Sequence, residues 1–203
     1  MPSTTPKQKI SKVRHFGGEY VDIVLVGDTF DDAYHAAIQR CELDGLPFIH
    51  PFDDYDVMAG QGTVGLEILE QCPEPLDILL VAVGGGGLLS GVGSYFKQRS
   101  PNTKIIAIES EGAPALHASL KAREVVTLDK IDSFADGIAV KRVGQHTFDI
   151  CKEIVDEIVL VPEGQICSTM LKLYNDEAIV TEPAGAISIS ALALIRDQIK
   201  DKN

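Results

Sequence analysis

Apolar and polar positions along this chain fall into two kinds of segment. Short, nearly uninterrupted apolar runs, centred on Ile78 to Val83, Ile105 to Ile108 and Ile158 to Val161, stand between longer stretches with helical spacing. Apolar runs of this length between helices read as strands buried on both faces, which is the signature of a parallel sheet. The pattern predicts strands at 77–83, 104–109 and 157–161, and helices at 88–99, 113–122, 146–153, 163–175 and 184–199. Upstream, a basic helix (Lys7 to Phe16) precedes a β-rich run, Tyr20 to Val26. Asp28-Thr29-Phe30-Asp31 supplies N-cap chemistry for an Ala-rich helix over Asp31 to Leu43. Pro47-Phe48-Ile49-His50 reads as a short strand, and a further helix runs from Val57 or Thr63 to Gln71. The expected class is α/β, with parallel strands flanked by helices.

The sharpest local signal is Val83-Gly84-Gly85-Gly86-Gly87-Leu88, where a buried strand passes through four glycines into a helix. The first N–H groups of a helix have no intrahelical partner, and the positive end of its dipole lies there. Glycines let those amides approach phosphate oxygens closely, so Gly84, Gly85, Gly86, Gly87 and Leu88 are candidate anion-binding residues. In an open parallel sheet, ligands collect at the carboxyl ends of the strands, where this loop falls. It is not a P-loop, because the only nearby lysine, Lys97, lies well down the helix. A dinucleotide fingerprint fits only loosely, because the loop stands mid-chain rather than in the first strand–helix unit.

Composition narrows the classes. The 203 residues carry 18 basic and 30 acidic side chains, a formal charge of −12, and a mean hydropathy of +0.09. So acidic a chain speaks against a nucleic-acid groove or an anionic membrane surface as partner. No apolar run is long enough to span a bilayer, and the polar start lacks a secretory h-region. Cys41, Cys72, Cys151 and Cys167 are widely spaced, without metal-site spacing. They read as reduced thiols of a cytoplasmic protein, with Cys151 and Cys167 buried in helices.

Several blocks together resemble one enzyme family. The glycine run is similar to the tetraglycine phosphate loop of fold-type II pyridoxal-phosphate enzymes, the family of threonine dehydratase and serine racemase. In the family's order come Met1-Pro2-Ser3-Thr4-Thr5-Pro6-Lys7, Phe16-Gly17-Gly18, His50-Pro51-Phe52-Asp53-Asp54 and Ala59-Gly60-Gln61-Gly62-Thr63. Phe134-Ala135-Asp136-Gly137 and Glu182-Pro183-Ala184-Gly185-Ala186 follow. The resemblance covers essentially the whole chain, and Phe52 tilts it toward threonine dehydratase, since serine racemases resemble this block with Asn there.

The resemblance implies a tryptophan synthase β-like architecture, incomplete at both ends. Residues 1–52 would belong to a smaller lobe, and 53–203 to the larger phosphate-binding lobe without its last strand. It implies pyridoxal 5'-phosphate as cofactor and deamination of L-threonine, with L-serine, to 2-oxobutanoate or pyruvate plus ammonia. It also implies a homo-oligomeric complete enzyme. The alternatives are a serine racemase-like enzyme and a non-catalytic phosphate-binding remnant. The family's Schiff-base lysine in S-F-K-x-R-G-A and its S-x-G-N-H loop are expected upstream of Met1, and its S-G-G-N motif beyond Asn203. The chain alone is therefore expected to be inactive.

Four other residues are candidates for the substrate region, three of them with a structural alternative. His50 lines the site or bonds a turn; Asp136 faces the cofactor or caps a turn with Gly137. Glu182 points at substrate or sits as a helix-start acid before Pro183. Phe52 belongs to the same set through its block. In some relatives a Glu, a backbone carbonyl and an Asp bind a divalent cation. Glu109 and the Ala113 carbonyl match, but Ala115 stands where the Asp would be, so a bound cation is not expected.

Overall fold

The computed structural model describes all residues from Met1 to Asn203. They divide into two compact units, Met1–Ile49 and His50–Asn203.

In the first unit, α1 (Lys7–Gly17) runs into a single 3-10 turn at Gly18–Tyr20, and α2 (Phe30–Asp44) follows. Thr29 begins α2 with a reciprocal capping box: Asp32 N–H donates to Thr29 Oγ1 at 3.1 Å, and Asp32 Oδ2 accepts from the Thr29 N–H at 3.0 Å. Gly45, at φ 65°, ends it in the left-handed region. The runs expected as strands, Tyr20 to Val26 and Pro47 to His50, are not strands. Val21 has extended dihedrals, but a strand also requires a ladder partner for its backbone groups. Here such bonds run only to the first residues of the chain, Val26 N–H donating to the Met1 carbonyl and Ser3 N–H to the Gly27 carbonyl, and they do not extend into a ladder.

The second unit is a three-stranded parallel sheet in the order β1 (Ile78–Ala82), β2 (Lys104–Ser110), β3 (Glu157–Val161). Ile78 pairs with Lys104 and Ala82 with Ile108, while Ile106 pairs with Glu157 and Ser110 with Val161. Helices precede, connect and follow the strands: α3 (Tyr55–Gln71), α4 (Gly87–Arg99), α5 (Ala115–Ala122), α6 (Gln145–Ile154), α7 (Glu163–Glu177) and α8 (Pro183–Ala191). Strand side chains alternate between faces. Ile106, Ile108, Val159 and Val161 pack with Ile166, Ala186, Ile187 and Ala191 of α7 and α8. On the opposite face α4 lies over the sheet, burying Leu89, Val92 and Phe96 almost completely. Both faces are covered, as the apolar strands required.

Glycine sets how closely α3 and α4 approach. A Cβ on Gly91 would strike the Met58 carbonyl and stand 2.7 Å from the Gly62 nitrogen, and one on Gly62 would stand 3.3 Å from the Gly91 carbonyl. The Ala59–Thr63 block is therefore a helix-packing device. Two further expectations change. The last helix ends at Ala191, and the chain to Lys202 winds in separate turns that still bring Ile195 to 4% exposure against the sheet. Cys151 is buried, but Cys167 is exposed, because α7 turns Ile166 and Thr169 inward and the position between them faces out. No helix is long and apolar enough to cross a membrane.

Candidate active site

Four of the sequence blocks converge at the carboxyl end of β1. Gly84 leaves the strand so close to the turn after Ala135 that an added Cβ would lie 2.8 Å from the Ile138 Cα and carbonyl oxygen. Phe52 lies against the backbone of Gly85 and Gly87, where a Cβ on Gly87 would be 2.8 Å from the Phe52 Cβ. Gly86 has φ 95°, a conformation open to glycine and strained for other residues. Around the turn, Gly137 sits beside α8, where an added Cβ would be 2.9 Å from Ala184 Cβ and 3.0 Å from Glu182 Oε1.

Gly86 is the N-cap of α4, and a glycine has no side chain to cap with. The first helical bond runs from Ser90 N–H to the Gly86 carbonyl at 2.8 Å. The N–H groups of Gly85, Gly86, Gly87 and Leu88 have no acceptor within the protein, although Gly85, Gly86 and Gly87 are buried. Buried amides are almost always paired. Four together at the positive end of a helix, on a loop that tolerates no Cβ, fit a phosphate group from outside the chain.

The starts of α3 and α6 are different, because each carries its own carboxylate. At α3, Asp54 Oδ1 accepts from Asp56 N–H at 2.9 Å and Val57 N–H at 3.0 Å. At α6, Asp53 Oδ2 accepts from Gln145 N–H and Oδ1 from Thr147 N–H, both at 3.0 Å. His50 Nδ1 accepts from Asp53 N–H at 2.7 Å and Phe52 N–H at 3.2 Å, so its proton resides on Nε2 in this arrangement. Burial lowers the His50 pKa, against the opposing charges of Asp53 and Asp54. The His-Pro-Phe-Asp-Asp block is thus a turn that directs two carboxylates to two helices and lays Phe52 on the glycines.

Glu109, the metal candidate, is fully buried near the end of β2. Its Oε1 accepts from Leu116 N–H and its Oε2 from His117 N–H, both at 2.7 Å, so it caps α5 from a distance. Burial pushes its carboxyl up to about 7, partly offset by those two donors. The Ala113 carbonyl accepts from Ala115 N–H at 3.0 Å. Both groups have internal partners, and no cluster of three or more His, Cys, Asp or Glu is arranged to hold a metal.

Asp136 lies exposed in the turn before Gly137, and Glu182 is the N-cap residue of α8 with Pro183 following at N1. The structure brings Glu182 to the Gly137 turn and that turn to Gly84, which chain order does not reveal. Thr147 and Asp53, which support the loop from behind, carry no motif spacing of their own. The one signal for Asp53 is its place in the block, a second acid beside the residue that caps α3.

An open parallel sheet with bare glycine amides at a helix start defines a phosphate-binding α/β protein. Comparison with known proteins names the phosphate. The family described as "Pyridoxal-phosphate dependent enzyme" matches residues 1–203, and the chain belongs to that family. It is 57% identical over 203 residues to the L-threonine dehydratase biosynthetic IlvA of Bacillus subtilis, covering 100% of this chain and 48% of the relative. It is 54% identical to the protein of the same name from Halalkalibacterium halodurans, covering 100% of this chain and 49% of the relative. The processed threonine deaminase isoform 2 of Solanum lycopersicum superposes with a TM-score of 0.90 at 44% identity, covering 100% of this chain and 58% of that one. A serine racemase from Dictyostelium discoideum superposes at 0.80 with 34% identity, covering 99% and 62%. The architecture is that of the fold-type II enzymes, and the chain spans about half the length of the curated relatives it matches.

Proposed function

We propose that these residues form the phosphate-gripping part of an enzyme that deaminates L-threonine, and L-serine, to 2-oxobutanoate or pyruvate plus ammonia. The observation that carries this reading is the set of acceptor-free amides from Gly85 to Leu88, three of them on buried glycines. The similarity to threonine dehydratases over the full chain supports threonine as the substrate. Pyridoxal phosphate, when bound, supplies an electron sink for the substrate's α-carbon.

The chain's own residues supply placement. Gly84 to Leu88 hold the phosphate, and α4 adds its positive end. Phe52 covers the glycine backbone and keeps water from it, while Glu182 and Asp136 border the substrate region from the Gly137 turn. Residues 53–203 act as the phosphate-binding lobe and 1–52 as part of a smaller one. The complete enzyme is a cytoplasmic homo-oligomer serving isoleucine biosynthesis, in keeping with its biosynthetic relatives.

The 203-residue polypeptide by itself does not turn threonine over. A lysine that attacks an aldehyde needs desolvation or a neighbouring cation to lower its pKa. None of the buried polar side chains is a lysine, and Lys97, Lys104 and Lys152 are held in ion pairs with Asp156, Glu157 and Asp149. The test is to incubate the purified chain with pyridoxal phosphate and L-threonine, assay 2-oxobutanoate, then reduce with borohydride and map any labelled lysine. The expected result is retained cofactor without product and without a single preferred lysine. Product formation together with one reduced lysine overturns the inactivity, and failure to retain cofactor overturns the cradle.

A further inference from the structure

The peptide between Gly85 and Gly86 is gripped from behind. In a trans peptide, the carbonyl of one residue and the N–H of the next point in opposite directions. Whatever holds the Gly85 carbonyl therefore also aims the Gly86 N–H. The hold comes from the first turn of α6. Thr147 Oγ1 donates to the Gly85 carbonyl at 2.7 Å, and the Gly144 N–H reaches the same oxygen at 3.3 Å. Thr147 is fully buried, and its Cβ and Oγ1 occupy the space 2.9 Å from where a Gly86 Cβ would stand.

Thr147 is itself fixed from both sides. Its N–H donates to Asp53 Oδ1 at 3.0 Å, and its carbonyl accepts from Ser90 Oγ at 3.3 Å. Ser90 lies in the first turn of α4 and Asp53 in the turn bonded by His50, so Thr147 joins three elements that border the glycine loop.

We propose that Thr147, held by Asp53, is a positioning residue of the phosphate cradle. Its hydroxyl fixes the Gly85–Gly86 peptide with the Gly86 N–H turned outward to the anion. The proposal rests on reading Gly84–Leu88 as that cradle and names what orients it. Glycines on both sides leave this peptide little steric preference of its own. A flip would present the Gly85 carbonyl oxygen to the phosphate in place of a donor. It would also leave the buried Thr147 hydroxyl without its shortest acceptor, which disfavours the flipped state.

Equilibrium dialysis of the chain against pyridoxal 5'-phosphate and against pyridoxal, which lacks the phosphate, separates positioning from general damage. Amide proton–nitrogen spectra recorded with pyridoxal phosphate follow the Gly86 resonance. Thr147→Val should weaken pyridoxal phosphate binding about tenfold, the scale of one hydrogen bond. It should leave pyridoxal unchanged and abolish the Gly86 response, while Thr147→Ser restores both. Where the valine variant does not fold, Thr147→Ala against Thr147→Ser makes the same comparison. A folded variant without the hydroxyl that binds pyridoxal phosphate like the wild type overturns the role of Thr147 alone. A wild-type chain that prefers pyridoxal phosphate no more than pyridoxal overturns the cradle reading, and the proposal with it.

Discussion

The crossings that follow β1 and β2 begin alike and end differently. Each takes an apolar strand out of the same sheet and into a helix whose first amides need an acceptor. After β2, the protein provides one: Glu109 places a carboxylate oxygen on each of the Leu116 and His117 N–H groups at 2.7 Å. After β1 it provides none, and it uses glycines, so no side chain can reach the Gly85–Leu88 amides from within the loop. A filled helix start is architecture, and a bare one lined by glycine is a place for an external anion. The difference also explains why Glu109, conspicuous as an acid at a strand end, has a structural role.

Removing the internal acceptor at α5 should have the largest effect. Glu109→Ala leaves one buried and one half-buried N–H group unpaired and opens a cavity, at a cost of about 3 kcal/mol in unfolding free energy by chemical denaturation. The wild-type carboxyl, raised to about 7 by burial, stays protonated in the folded state after the unfolded chain has released its proton. Its contribution is therefore complete below about pH 4.5 and is lost as pH rises through about 7. Glu109→Gln should flatten that slope. Unchanged stability of the alanine variant would break the comparison.

Filling the bare start should act on binding as much as on stability. Gly86→Ala forces a side chain into a left-handed backbone and against Thr147, costing about 2 kcal/mol. It should also reduce pyridoxal phosphate retention at least tenfold, measured by dialysis. A variant that is destabilised but retains cofactor normally would detach the loop from the phosphate.

Asp53→Ala removes the carboxylate at α6 and should cost about 1–2 kcal/mol, the scale of a lost N-cap. The smallest effect concerns His50. Its pKa is lowered by burial, and Nδ1 can accept the Phe52 and Asp53 N–H groups only while unprotonated. The neutral ring's contribution is complete above pH 6.5 and is lost as pH falls through the depressed folded value. His50→Asn, whose Oδ1 can accept in place of Nδ1, should remove the resulting fall in thermal unfolding temperature at acid pH.

Much of this was readable from residues alone. The three apolar runs became β1, β2 and β3 because parallel strands covered on both faces tolerate no polar alternation. The glycine loop was legible because four consecutive glycines have few other uses. What stayed hidden depended on partners distant in sequence. Tyr20 to Val26 has the composition of a strand, but pairing is a property of two segments. Thr147 shows no signal, since a buried threonine in the first turn of a helix is ordinary until the Gly85 carbonyl is found beside it. Glu109 stood only as a weak cation candidate, and its structural role stayed hidden because sequence shows the acid without the α5 amides that it accepts from.

Among the starts of α4, α5 and α6, only that of α4 is left open to an external phosphate. Amide proton–nitrogen spectra of the chain titrated with inorganic phosphate test it most directly. The expected result is saturable shifts at Gly85, Gly86, Gly87 and Leu88, with Leu116, His117, Gln145 and Thr147 unmoved behind the Glu109 and Asp53 carboxyl groups. Equal shifts at all three helix starts, or none at the glycines, would contradict it.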